Sequence, residues 1–198
     1  MESSRDVAFL FEIGSLRHVP RTWRQFGGHN MANVPEHTFR VAWISLVLAI
    51  REGGNPARCV EMALLHDVPE SRTGDVNYVQ RQHTHRDEEV ALKDILSNTS
   101  AAEYLRRLWQ EWEHAESLEA RIVRDADNLD CDFELRELAD TGSHLPEKLT
   151  PTRTAVRAKL TTNSARQIFD SISGADPHDW HLSARNRLTA GDWASSEK

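Results

Sequence analysis

Between Pro35 and His66 the chain spells out two helices placed end to end, and this stretch limits the fold more than any other. Val41-Ala-Trp-Ile-Ser-Leu-Val-Leu-Ala-Ile50 is apolar for ten residues and is closed by Arg40 and Arg51. A membrane crossing needs ~20 such residues, so the run reads as a buried helix, opened by Pro35-Glu-His-Thr and stopped by Gly53-Gly54. Asn55-Pro56 caps the next helix, with proline in its first turn, and that helix is predicted to end near His66. The 9 Gly and 7 Pro fall at helix-length intervals. Strands of a sandwich would be punctuated every ~8–12 residues, and no β-alternating run is found, so the fold class is all-α.

Amphipathic helices are also read over Arg86–Asp94 and Glu103–Glu116, with Trp109 and Trp112 taken as core packing. Leu118, Ile122, Ala126 and Leu129 follow helical spacing across Glu116–Asp130, which sets Val123, Asp127 and Asp130 on an adjoining stripe. A chain of 198 residues with no internal repeat is expected to form one domain, 1–198, in which 174–198 is a loosely packed extension.

The net charge of −7 argues against a protein that grips a nucleic-acid polymer by bulk positive charge. No segment suits a membrane. Cys59 and Cys131 lack metal-site spacing and are read as reduced and structural. Met-Glu-Ser-Ser-Arg-Asp at the start lacks a basic stretch followed by an apolar one, so no secretory signal is expected and the location is taken as cytoplasmic.

Chemistry concentrates in Ala63-Leu-Leu-His-Asp-Val-Pro-Glu-Ser-Arg-Thr-Gly-Asp75. An apolar helix delivers His66 and Asp67 to its end, Pro69 is expected to force a turn, and Glu70, Thr73 and Asp75 follow on the exit loop. An imidazole beside a carboxylate suits a divalent cation. The dipeptide alone says little, because chance supplies roughly one copy at this composition, and a second, His178-Asp179, does occur. That copy lies in Gly-Ala-Asp-Pro-His-Asp-Trp with no apolar helix leading into it, and it reads as a turn with a local hydrogen bond. Two further candidate ligands are His37, at the start of the buried helix, and Asp127, with Asp125 and Asp130 as its competitors; Asp125 could pair with Arg121 on the helix surface.

The ordered pattern His37, His66-Asp67, Asp127 resembles the HD-domain metal phosphohydrolases, and more narrowly the YfbR-like 5′-deoxynucleotidases. The likeness runs from Leu16-Arg-His-Val-Pro-Arg-Thr-Trp23 through Val34-Pro-Glu-His-Thr38 and the 63–75 segment. It continues in Arg86-Asp-Glu-Glu-Val-Ala91, Leu108-Trp-Gln-Glu-Trp-Glu113 and Glu119-Ala-Arg-Ile-Val-Arg-Asp-Ala-Asp127. The resemblance implies an HD-domain helical bundle around one divalent metal ion (Mn, Co, Fe, Zn or Mg) held by His37, His66, Asp67 and Asp127. It implies Glu70 as the residue acting on the attacking water, Asp75 as a substrate and catalytic residue, and Arg21 as the phosphate-orienting cation, with Arg17 and Arg24 as its competitors. Trp23 corresponds to a substrate-binding tryptophan, and His37 and Asp67 also face substrate. Val76-Asn-Tyr-Val79 departs from the proline-containing loop of the bacterial relatives, a change that bears on substrate preference.

The reaction implied is hydrolysis of deoxyribonucleoside 5′-monophosphates to nucleoside and phosphate by a homodimer. A triphosphohydrolase or phosphodiesterase with the same metal centre, or a non-catalytic nucleotide-binding module, are the alternatives.

Overall fold

Asn33 shows how local chemistry starts the central helix. Its side chain accepts from the Glu36 amide at 2.9 Å while the Glu36 carboxylate accepts from the Asn33 amide at 2.8 Å. This reciprocal cap satisfies two orphan donors, and Gly53 ends the same helix in the left-handed conformation at φ 74°. The computed structural model describes residues 2–28 and 31–182. In chain order the helices are α1 Glu2–Ser15, α2 Arg24–Gly27, α3 Val34–Glu52, α4 Pro56–Leu65, α5 Glu70–Thr73 and α6 Glu88–Leu96. They continue as α7 Ala102–His114, α8 Leu118–Asp140, α9 Leu145–Lys159, α10 Asn163–Ile172 and α11 Asp179–Leu182. Among the described residues β pairing is confined to an isolated Pro20–Asn33 bridge.

The core forms where α3 packs on α4 and α8. Leu48, Met62, Ile122 and Leu129 meet there and are fully buried. Each such side chain contributes roughly 1.5–3 kcal/mol by leaving water, so these three helices make a firm frame for whatever their ends carry. The Arg21 segment is fastened to that frame, since Arg21 N donates to Ala32 O at 3.2 Å and Val34 N to Val19 O at 3.0 Å. Among the described residues no helix is long and apolar enough to cross a membrane.

The structure corrects several local expectations. Glu70 and Thr73 lie in a short helix rather than on an exit loop: Pro69 adopts helical angles and its carbonyl accepts from the Arg72 and Thr73 amides, so proline begins a new turn. The helix expected from Arg86 starts at Glu88, because the Asp87 side chain caps it by accepting from the Val90 amide. Asp125 does not pair with Arg121 on the surface. It is buried and accepts from the backbone amides and hydroxyls of both Thr161 and Thr162, at 2.8–3.1 Å. One carboxylate thus joins α8 to the start of α10. Asp125→Ala leaves several buried donors unpaired and is expected to lower unfolding free energy by roughly 2–4 kcal/mol, read from urea denaturation; a loss under ~0.5 kcal/mol would show water replaces the contact.

His178 lies in the expected turn, its amide donating to Asp176 Oδ1 at 2.8 Å, whereas Asp179 already begins α11. Of the 174–198 stretch, residues 183–198 lie outside the described residues.

Candidate metal centre and catalytic cleft

Three helix segments aim electron-rich atoms at one point. His37 stands in the first turn of α3, His66 caps the C-terminal end of α4 with Asp67 next to it, and Asp127 projects from α8. Ligand atoms of His37, His66 and Asp127 all lie within 4.8 Å of one another. Asp67 Oδ2 enters the same centre, 3.4 Å from His37 Nε2 and 3.3 Å from His66 Nε2.

Hydrogen bonds on the far sides of the rings fix what faces inward. His66 Nδ1 is 2.6 Å from Ala63 O, which can only accept, so Nδ1 carries the proton and Nε2 presents a lone pair. His37 Nδ1 donates to Asp130 Oδ2 at 2.6 Å. The two Nε2 atoms are 3.4 Å apart, and Asp127 Oδ1 is 3.2 Å from that of His37. Two imidazole nitrogens and two carboxylates cannot face one another at such range without positive charge between them. This donor set fits a divalent cation, and Asp130 supplies the outer contact that orients such a ligand.

Without a cation, a proton takes that role on His37. Burial opposes the charge, but hydrogen bonds to Asp127 and Asp130 prevail and hold the imidazole's pKa up at about 10. The Asp127 carboxyl is held below the usual range: burial opposes this, and its bond to His37 outweighs the burial. Because a cation must displace the His37 proton, its affinity should rise with pH up to about 10 and level off above it, with about one proton released per ion near neutral pH. Calorimetric titration in buffers of different ionisation enthalpy checks this; heat independent of buffer would mean that no proton is released.

Beside the centre lies a cleft of about 400 Å³ lined by Arg21, Asp67, Glu70, Asp75, Tyr78 and Trp112, among others. Arg21 reaches Asp67 Oδ2 at 3.3 Å and Asp75 Oδ2 at 3.5 Å, and its Nε is buried without a partner among the described residues. Its competitors are engaged elsewhere, Arg17 with His18 and Arg24 with the Met31 carbonyl. Asp75 accepts from the Thr22 amide at 2.9 Å, which holds the Arg21 turn in place. Glu70 keeps Oε2 buried and, among the described residues, unpartnered. Burial, then the charges of Asp67 and Asp75, push its carboxyl up to about 9.

Trp23 lines the cleft and packs near Phe26 and Tyr78, with ring centroids 5.9 and 6.2 Å away. The Val76–Val79 segment is ordered by Asn77, whose side chain donates to Thr22 Oγ1 and Gln25 Oε1 and accepts from the amides of Val79 and Gln80. Trp109 is core, as expected, and Trp112 packs against that core while also forming part of the cleft wall, edge-on to His66 at 5.6 Å and under the Arg124 guanidinium at 4.7 Å. Sequence reasoning passed over Arg124 and Arg86. The latter had a signal, since it heads the Arg86–Ala91 motif.

Comparison with known proteins gives the family. The HD domain family matches residues 13–168. The Homo sapiens protein named 5′-deoxynucleotidase HDDC2 is 33% identical over 149 residues, 72% of each chain. Its Bos taurus counterpart is 35% identical over 140 residues, 68% of each chain. The fold also superposes on a conserved hypothetical protein from Pyrococcus furiosus with TM-score 0.71 and 24% identity, covering 85% of this chain and 99% of that one. The chain is therefore a member of the HD domain family, within the branch that contains these two relatives.

Proposed function

We propose that the chain, acting as one domain, is a metal-dependent 5′-deoxynucleotidase, hydrolysing deoxyribonucleoside 5′-monophosphates to nucleoside and inorganic phosphate. The relatives named for that activity support it. What carries the reading is the buried Glu70 carboxylate oxygen, without a partner among the described residues, in the same cleft as Arg21, His66, Asp67 and Asp127.

In this reading His37, His66, Asp67 and Asp127 hold one divalent ion of the series Mn, Co, Fe, Zn or Mg. When bound, the ion supplies Lewis acidity toward the phosphate. Glu70 orients the attacking water and, ionised once the charge of a bound cation offsets the Asp67 and Asp75 carboxylates that raise it, accepts the water's proton. Arg21 offers a planar fork to two phosphate oxygens. Asp75 keeps the Arg21–Thr22 turn against the cleft and meets the substrate, while Trp23 contacts the nucleoside. The two buried free thiols, Cys59 and Cys131, accord with a cytoplasmic site of action. A stripe of exposed apolar side chains on α3, Phe39, Trp43, Val47 and Ile50, supports assembly as a homodimer.

The test is a cation-supplemented screen of mono-, di- and triphosphate nucleotides with products identified. Inorganic phosphate from deoxynucleoside monophosphates supports the reading; triphosphate or a nucleotide product overturns it. Arg21→Ala should lower kcat/KM by about 10²-fold while Arg17→Ala and Arg24→Ala stay within roughly threefold of wild type. Equal losses at all three positions would replace a single fork by a diffuse positive patch.

A further inference from the structure

We propose that Arg86 is the positioning residue for Glu70, holding one carboxylate oxygen so that the other stays free for the attacking water. This rests on the hydrolase reading above. Arg86 Nη1 donates to Glu70 Oε1 at 3.1 Å and to the Gly74 carbonyl at 2.8 Å, and Nη2 lies 2.7 Å from Glu88 Oε1. Three acceptors from two chain segments, one on each side of the Asp75–Arg81 excursion, therefore meet a single guanidinium.

Both partners are largely buried, with side-chain exposures of 13% for Arg86 and 6% for Glu70. Their backbones are fixed as well. Arg86 directly precedes the capped start of α6, and the Gly74 amide donates to Glu70 O at 2.9 Å, closing α5 just before Asp75. A charged donor at Oε1 fixes where that oxygen sits and so limits how the carboxylate can turn. Among the described residues Oε2 is the oxygen left without a hydrogen-bond partner, in a residue that lines the cleft.

Mere charge compensation for a buried acid would need only a cation here. Orientation needs the fork, because a lysine ammonium is a single point that cannot serve Glu70, Gly74 and Glu88 in the same geometry. The two roles therefore separate in Arg86→Lys, which keeps the charge, and in Arg86→Met, which removes it.

The experiment measures kcat and KM for a deoxynucleoside 5′-monophosphate at saturating cation, together with cation stoichiometry and a crystal structure of each variant. Arg86→Met is expected to lose about 10–100-fold in kcat, with KM and stoichiometry within roughly twofold of wild type; Arg86→Lys should also lose kcat, by a smaller factor. Introduced into Glu70→Gln, the methionine change should cost less than about twofold more, since it acts through Glu70. In the crystal the Glu70 carboxylate should leave its present place. Wild-type kcat in Arg86→Met, an equal fractional loss in the Glu70→Gln background, or an unmoved Glu70 overturns the proposal. Arg86→Lys carries the same comparison should methionine prevent folding. Wild-type protein that releases no phosphate would overturn the assigned reaction and this proposal together, whereas an active wild type with an unaffected Arg86→Met overturns the proposal alone.

Discussion

His66→Ala is expected to bind no divalent cation and to lose phosphate release by at least about 10³-fold, roughly 4 kcal/mol of transition-state stabilisation. The reason is geometric. His66 Nε2 is the one lone pair at the centre whose direction is locked by a backbone carbonyl, and its removal leaves His37, Asp67 and Asp127 without a fourth donor. Asp67→Ala should do the same and also release Arg21 from one of its two carboxylates. The chain carries its own control: His178→Ala and Asp179→Ala change the same dipeptide where, among the described residues, the His178 side chain bonds Asp140 and His181, and both should keep cation content and kcat. Elemental analysis with circular dichroism reads the outcome. Full cation content in folded His66→Ala, or its loss in His178→Ala, would overturn the ligand set.

Glu70→Gln separates chemistry from binding. The amide is close to isosteric, and its oxygen can still accept from Arg86, but the group replacing Oε2 donates hydrogens and cannot take a proton from water. Turnover should fall by about 10²–10³-fold with cation stoichiometry unchanged. Stability should hold or rise. Burial and the Asp67 and Asp75 charges push the Glu70 carboxyl up to about 9, so an ionised Glu70 is an unfavourable neighbour there, and a neutral amide removes that repulsion. Wild-type kcat would move the water-activating role elsewhere, with Asp75 the next candidate.

The helices around the site were legible because caps and breakers are local: Asn33, Gly53 and Asn55-Pro56 each act within a turn of their own position. The residues drawn into the centre were legible through their order along the chain. What could not be read is which face of α8 meets which neighbour. Asp125, Asp127 and Asp130 lie within two turns of one helix, yet one holds the residues that lead into α10, one faces the converging donors and one supports His37. That division follows from the placement of α3 and α10, which no spacing within α8 encodes. Arg86 was obscure for a similar reason, since its acceptors sit 12 and 16 positions earlier in the chain.

The converging donors come from α3, the end of α4 and α8, so the site exists only when helices up to 90 positions apart in sequence have docked. By mass action, any ion that binds this arrangement and not the open chain shifts the folding equilibrium toward the docked helices. At a free concentration one hundred times its dissociation constant, the gain is about 2.7 kcal/mol. The thermal midpoint should therefore climb with the logarithm of the free ion concentration and fall back in chelator, making the availability of a trace metal a determinant of how long this protein persists as well as of what it can do.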